Sequence, residues 1–204
     1  MRRNKLIVGI AALAAVAVTA PAGAQMMGPG WKFLEAVRKR EGLDVEKALG
    51  ATGTSTIINT QDYTSGDTAL HIVTARRDYE WLNFLLFRGA DANKANNKGV
   101  RPLGAAVSLG WAEGVQLLID KGARVDDPGA SGETALITAV HQRNVELVRL
   151  LLKAGANPLR ADNSGRTAKD YADLMGTDSV IASEIAAAAS AAAARKRQTY
   201  GPSF

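Results

Sequence analysis

A spacing of 33 residues recurs along most of this chain and constrains its fold more than any other feature. Glycines recur at this interval, and so do a leucine and a Gly-Ala pair. The residues are Gly66, Gly99, Gly132 and Gly165; Leu70, Leu103 and Leu136; and the pairs Gly89-Ala90, Gly122-Ala123 and Gly155-Ala156. Self-similarity at a fixed period of about 20 to 50 residues is typical of proteins built from stacked repeats. The chain is therefore predicted to form a linear stack of units.

Each unit holds two helical patterns, a short one rich in alanine and a longer one rich in leucine. The short patterns cover 68–76, 102–109 and 134–142. The longer patterns repeat apolar residues at i, i+3 and i+4, which buries one face of a helix. These residues are Leu82, Leu85 and Leu86; Val115, Leu118 and Ile119; and Val148, Leu151 and Leu152. Because only neighbouring units can cover these faces, we expect an all-α solenoid with polar ends.

At these residues the chain resembles the ankyrin-repeat family. Its units read Gly-Asp-Thr-Ala-Leu-His from Gly66, Gly-Val-Arg-Pro-Leu from Gly99 and Gly-Glu-Thr-Ala-Leu from Gly132, close to the G-x-T-P-L-H signature. The family's Leu-Leu-x-x-Gly-Ala element is matched at 85–90, 118–123 and 151–156. The resemblance implies an all-α stack of helix-turn-helix repeats with short β-turn fingers. It also implies a non-catalytic role in protein–protein interaction, with no cofactor or metal.

The resemblance is clear from 62 to 174 and divides the chain into segments. We predict a signal peptide, a degenerate N-terminal capping repeat, three ankyrin repeats, a C-terminal capping repeat with an alanine-rich helix, and a basic tail. Their respective bounds are 1–24, 31–61, 62–94, 95–127, 128–160, 161–194 and 195–204. The stack is expected to act as a monomer.

Several positions depart from the family pattern. Arg101 stands where the threonine that caps the short helix is expected, and Gly104 and Ile137 stand where the signature has histidine. The fourth unit has lost the signature leucine, so the second and fourth units are expected to be locally weaker. The first finger is one residue longer than the others, because Asp62 lies four residues before Gly66 where the other fingers have three.

The first residues are typical of a secretory leader. Three basic residues among the first five precede an apolar stretch at 6–20 and the small residues Ala22-Gly23-Ala24. This pattern predicts cleavage after Ala24 and a periplasmic or secreted protein. An uncleaved membrane anchor is the alternative, but 15 apolar residues are fewer than the about 20 that span a bilayer.

The charge balance argues against nucleic-acid binding once the two ends are set aside. The formal net charge of +5 falls to 22 − 20 = +2 without the three basic residues of the leader. Removing Arg195-Lys196-Arg197 leaves 19 − 20 = −1 for the body of the protein. A body without excess positive charge has no electrostatic means of general attraction to nucleic acid.

Candidate catalytic chemistry is sparse. The chain has no cysteine, which excludes thiolate nucleophiles and cysteine-ligated metals, and it has two histidines. His71 fits the signature histidine, which in the family hydrogen-bonds to neighbouring loops, whereas His141 falls at the exposed end of a short helix. Asp126-Asp127 could attract a cation, although a solvated turn is the simpler interpretation of two adjacent carboxylates.

By position, the finger tips and the ends of the short helices form one concave face, which the resemblance implies is the partner-binding site. Its predicted binding residues are Ser65, Asp67, Arg76, Lys98, Val100, Ser108, Leu109, Ser131, Glu133, His141 and Gln142. Arg76 and Leu109 lie outside the repeated apolar columns, so their substitution is expected to affect binding and not stability. Phe87 is expected to be exposed. Both Phe87 and Trp111 could serve either as contacts for a partner or as packing within the stack.

The end of the chain differs in composition. An alanine-rich run at 178–194 predicts a closing helix, followed by Arg195-Lys196-Arg197 and a frayed tail. Basic residues near a helix C-terminus complement its dipole. The alternative function is binding of anionic lipid or polymer at the envelope surface through this tail, without stable membrane insertion.

Overall fold

A computed structural model describes residues 28–52, 57–176 and 179–199 of the chain. This part contains ten α-helices and no strand, apart from an isolated antiparallel bridge between Ala161 and Thr167. The helices are α1 Pro29–Lys39, α2 Gly42–Thr52, α3 Ala69–Ala75, α4 Tyr79–Phe87, α5 Pro102–Ser108, α6 Ala112–Asp120, α7 Ala135–His141, α8 Val145–Lys153, α9 Ala168–Asp173 and α10 Val180–Thr199. The predicted leader lies outside the described residues. The predicted all-α class is confirmed.

The helices pack as antiparallel pairs in two stacked layers. Each odd-numbered helix contacts the even-numbered helix that follows it, and the short helices α3, α5, α7 and α9 stack on one another behind α1. The longer helices α4, α6, α8 and α10 form the second layer. Fingers at 62–66, 96–99, 129–132 and 162–165 project from the side of the short helices. The exact boundaries assigned to the repeats stay predictions.

Side-chain caps and left-handed residues set the ends of these helices. Thr134 Oγ1 accepts a hydrogen bond from the Ile137 N–H at 3.3 Å, and Thr167 Oγ1 accepts one from the Asp170 N–H at 3.1 Å. Both satisfy a backbone donor that the first turn of a helix leaves free. After α6, Gly122 adopts a φ of 88°, a conformation that reverses the chain at little cost only for glycine. These threonine and glycine signals were readable from the sequence.

The leucine columns form the core between the two layers. Leu82, Leu85, Leu118, Leu147 and Leu151 are all fully buried. Ile119 and Leu152, the last members of their predicted stripes, are only half-buried at the edge of that core. Burial of such side chains stabilises the stack by about 1.5 to 3 kcal/mol each.

The closing helix α10 covers the last unit. Ile181 and Ile185 are buried against the stack, and Glu184 pairs with Arg149 of α8 at 2.9 Å. The helix continues to Thr199, so its backbone includes residues 195–199 of the predicted basic tail. Alanine and basic residues both favour continuation of a helix. Residues 200–204 lie outside the described part.

Candidate binding face

An Asx turn builds most of the fingers. In the second finger, Asn96 Oδ1 accepts hydrogen bonds from the Lys98 and Val100 N–H groups, both at 3.0 Å, and the Asn96 N–H donates to Val100 O at 2.9 Å. In the fourth finger, Asp162 Oδ1 accepts in the same way from Ser164 and Arg166. The third finger begins with Gly129, which has no side chain to accept these bonds. This finger therefore lacks the Asx turn, and backbone bonds from Gly129 N–H to Glu133 O and from Gly132 N–H to Gly129 O close it instead.

The first finger carries an additional residue, Tyr63. Gly66 N–H bonds to Asp62 O at 2.8 Å, a turn one residue wider than the bond from Gly99 N–H to Asn96 O in the second finger. Matching the hydrogen bonds of the two fingers makes Tyr63 the inserted residue, and its side chain is fully exposed (101%). The longer finger was predicted from the sequence, whereas Tyr63 is not among the predicted binding residues. The finger length was the signal that could have identified it.

Asp62 holds this longer finger in place. Its Oδ1 accepts from the N–H groups of Thr64 and Ser65, and its Oδ2 lies 2.6 Å from the Arg38 guanidinium of α1. The Ser65 N–H and then the Arg38 side chain are the main causes that lower the pKa of Asp62 to about 2. The carboxylate thus stays ionised and ties the first finger to the N-terminal helix.

Asparagine side chains join the first finger to the second and the third to the fourth. Asn97 donates from its N–H to Ser65 O at 3.0 Å and from Nδ2 to Thr64 O at 3.1 Å. Asn163 makes the equivalent bonds to Ser131 O and Ala130 O at 3.2 and 3.1 Å. These paired bonds keep adjacent fingers in register.

His71 adds a bond between the first and second units. Its Nδ1 accepts from the Thr68 N–H at 3.1 Å, so the ring proton lies on Nε2, which donates to Val100 O at 2.9 Å. Burial is the main cause that lowers the pKa of His71, because it disfavours the charged form. The family's implied role for this histidine, bonding to a neighbouring loop, therefore agrees with the geometry.

A cleft of about 330 Å³ lies between the second and third fingers. Five of the predicted binding residues are brought together in its walls. They are Lys98, Val100, Ser108, Ser131 and Glu133. Ser65 and Asp67 lie one finger away, where Asp67 Oδ1 accepts from Asn96 Nδ2 at 2.7 Å.

Arg76 and Leu109 do not have the free surface positions that the sequence suggested. Arg76 Nη1 donates to the carbonyl oxygens of Val37 and Arg38 at the end of α1, both at 2.9 Å, and Arg76 also pairs with the buried Asp78 at 3.4 Å. Leu109 is half-buried against the core. Because the bonds of Arg76 join two units, we now expect its substitution to affect stability.

The last two predicted residues lie at the end of α7. His141 packs edge-on against Tyr171 with ring centroids 4.4 Å apart, and its Nδ1 is 3.6 Å from Glu133. Gln142 Nε2 donates to Ser108 O at 3.0 Å. His141 is exposed, as expected, and its ring packs against Tyr171 of the next unit.

Tyr171 also bonds to the fourth finger. Hydrogen bonds from Ser164 Oγ and the Tyr171 hydroxyl lower the pKa of Asp162 to about 2.

The two aromatic residues singled out on the longer helices differ in role. Phe87 is 78% exposed, which confirms its expected exposure. Trp111 is 7% exposed and packs over Gly114. For Trp111 the packing interpretation therefore holds.

The acidic pair in the loop behind the third finger is engaged by protein groups. Asp127 lies 3.2 Å from Arg101 and 2.8 Å from Arg124, and Asp126 Oδ1 accepts from the Asn157 N–H. Within residues 28–52, 57–176 and 179–199, no three His, Cys, Asp or Glu side chains are grouped to hold a metal ion. Across the same residues, no helix combines the length and apolarity needed to traverse a bilayer.

Comparison with known families agrees with the geometry. A family model described as "Ankyrin repeats (3 copies)" matches residues 35–129 and 70–162, which together cover more than half of the chain. The matched region includes the first three fingers, the cleft and the helices α3 to α8.

Similar proteins are longer than this chain. The human transient receptor potential cation channel subfamily A member 1 is 32% identical over 59% of the chain and 11% of its own length. An ankyrin repeat-containing protein of Treponema pallidum (strain Nichols) is 32% identical over 54% of the chain and 37% of its own length. The mouse B-cell lymphoma 3 protein homolog is 34% identical over 54% of the chain and 26% of its own length. The chain thus spans 11% to 37% of these three relatives.

Proposed function

The chain belongs to the ankyrin-repeat family, whose repeats are protein-interaction modules, and from that premise we propose that it is an exported, non-catalytic scaffold that binds another protein. The binding face comprises the finger tips and the adjacent ends of the short helices. Stacked repeats create extended concave surfaces of this kind, while their leucine columns serve the core. The fold identifies the kind of activity, and the partner depends on the side chains of the face.

The observation that carries the proposal is the exposed Tyr63 on the lengthened first finger. Exposed tyrosine is frequent among residues that dominate binding energy, since its ring is large and rigid and its hydroxyl can form a hydrogen bond. Nothing in the packing of the described residues requires this side chain, which is fully exposed. Lys98 on the second finger is likewise exposed, and its Nζ has no partner among those residues. These side chains are available to a partner.

Export is proposed from the leader pattern at residues 1–24. N-terminal sequencing of the protein recovered from the envelope or the medium of the cells that produce it tests this step. We expect a first residue at Gln25 or within about two positions of it. Recovery of a membrane-bound product that begins at Met1 would show that the segment is an anchor.

The binding proposal is tested by crosslinking the tagged chain in its own envelope fraction and identifying captured proteins by mass spectrometry. Tyr63→Ala and Lys98→Glu should each reduce the yield of the partner. Phe87→Ala is the matched control, because Phe87 is also a largely exposed aromatic residue but lies on one of the longer helices. Equal loss with all three variants would contradict a binding site on the finger face.

Deletion of residues 195–204 distinguishes the alternative function. If the deletion abolishes association with the envelope and the finger variants do not, the basic cluster at the end of α10 is the binding element. In that case binding to anionic vesicles should weaken steeply as salt is raised, because exposed charges are screened.

A further inference from the structure

The cleft between the second and third fingers opens where the second unit lacks a side chain. Gly104 of α5 occupies the position that His71 occupies in the preceding unit, 33 residues earlier. The imidazole of His71 reaches the next finger, whereas a Cβ placed on Gly104 would have no atom within 4 Å. The glycine therefore leaves room for a side chain that belongs to another molecule.

The two fingers that flank this cleft are not tied to each other at their tips. Ala130 replaces the asparagine that joins the other finger pairs, so it has no side-chain amide to donate. Within residues 57–176, the Ala130 N–H donates no hydrogen bond, and the finger is exposed at this residue. A backbone donor is thus free at the mouth of the cleft. If a partner covers this N–H group, the complex is more stable when the partner supplies a hydrogen-bond acceptor.

The lining of the cleft carries more positive than negative charge, with three basic side chains and two acidic ones. The guanidinium groups of Arg101 and Arg124 share a single carboxylate, Asp127, at 3.2 and 2.8 Å. The other acid, Glu133, lies 3.6 Å from His141. Lys98 has no ion-pair partner in the described part of the chain, so its charge is uncompensated.

We propose that this cleft receives the carboxylate of an aspartate or glutamate in an extended segment of a partner protein. Gly104 supplies the space, Lys98 the opposite charge, and the Ala130 N–H a hydrogen bond to a carboxylate oxygen. A charge-assisted bond of this type is stronger than a neutral one. The inference rests on the proposed function, because it names the chemistry that the binding face recognises.

A phage-displayed library of random dodecapeptides, selected on the full chain, provides the probe. We expect the selected peptides to share an acidic residue, and replacement of that residue by its amide to weaken binding about ten-fold in fluorescence anisotropy. Gly104→His, which places an imidazole in the cleft, should weaken binding about as much. Gly104→Ala should weaken binding less than Gly104→His, since it leaves most of the space open, and Phe87→Ala, on the longer helices, is the control that should bind normally. Lys98→Gln should weaken the binding of acidic peptides and leave the binding of their amide variants unchanged.

The outcomes separate this inference from the proposed function. If peptides bind but show no acidic preference and no sensitivity to Gly104→His, the inference is wrong. Sensitivity of those peptides to Tyr63→Ala would then leave the proposed binding face intact. Failure to select any peptide also overturns the inference, whereas the crosslinking experiment tests the proposed function on its own. Thermal melting of each variant verifies that altered binding does not arise from unfolding.

Discussion

His71 Nε2 and the carbonyl oxygen of Val100 are joined by a hydrogen bond of 2.9 Å across 29 residues of sequence. The bond connects a short helix of one unit to the finger of the next. Because Nδ1 of the same ring accepts from Thr68, both nitrogens are satisfied only when the imidazole is neutral. One of the contacts between the first two units thus depends on the protonation state of His71.

Because His71 must be neutral to form both bonds, its protonation should lower the free energy of unfolding below neutral pH. Burial holds the folded-state pKa of His71 below its ordinary value of 6.5. Between these two values the unfolded chain binds a proton that the folded chain does not, so stability falls as pH falls and is complete above the unfolded value. Urea unfolding from pH 7.5 to 5 measures the slope. His71→Gln is the control, since glutamine retains capping ability without titrating. An equal slope in both proteins would refute the role of His71.

Gly104→Ala and Gly114→Ala should change stability in opposite directions. Both glycines lie within helices, but a Cβ at Gly104 would meet open space, whereas one at Gly114 would clash with the Trp111 ring. Alanine at Gly104 should raise the free energy of unfolding by about 0.5 to 1 kcal/mol, because it restricts the unfolded chain and favours helix. Alanine at Gly114 should lower it by about 1 to 3 kcal/mol through overpacking. Urea denaturation of the two variants tests the signs; matching signs would contradict the packing described at Trp111.

Arg76→Ala should destabilise the protein, contrary to its assignment as a surface binding residue. The variant loses two hydrogen bonds to carbonyl oxygens at the end of α1 and a partner of the buried Asp78. Bonds that involve a charged group contribute about 1.5 to 3 kcal/mol each, and the partial exposure of Arg76 favours a total near the lower figure. Thermal melting compares it with Lys98→Ala, whose Nζ has no partner among the described residues. If both variants melt together, Arg76 does not join the units.

Leu118→Ala should lower the melting transition of the whole stack. Leu118 is fully buried in α6, with units on both sides. Removal of a buried leucine side chain costs about 2 to 5 kcal/mol, and in a one-dimensional stack the loss weakens both adjoining interfaces. Circular dichroism during heating compares it with Lys121→Ala, an exposed position after the same helix. Similar midpoints would mean that the leucine column is not part of the core.

The repeat period alone determined much of this protein. The 33-residue spacing predicted the all-α stack, and the threonine and Gly-Ala positions predicted where helices begin and end. These features are local: a cap such as Thr134 or a left-handed glycine such as Gly122 acts within a few residues of itself. The sequence also showed that the first finger is longer and that Gly104 replaces a histidine.

Only the tertiary structure decided what those departures do. Arg76 lies outside the apolar columns, and no pattern in its own unit reveals that it bonds to carbonyl oxygens of α1, about 38 residues away. Three features come together in the lining of the cleft: the missing histidine side chain at Gly104, the missing amide at Ala130, and the charge of Lys98, which has no partner among the described residues. A linear pattern records each substitution separately. Their juxtaposition follows from the stacking of units, because stacking brings residues about one repeat apart into contact.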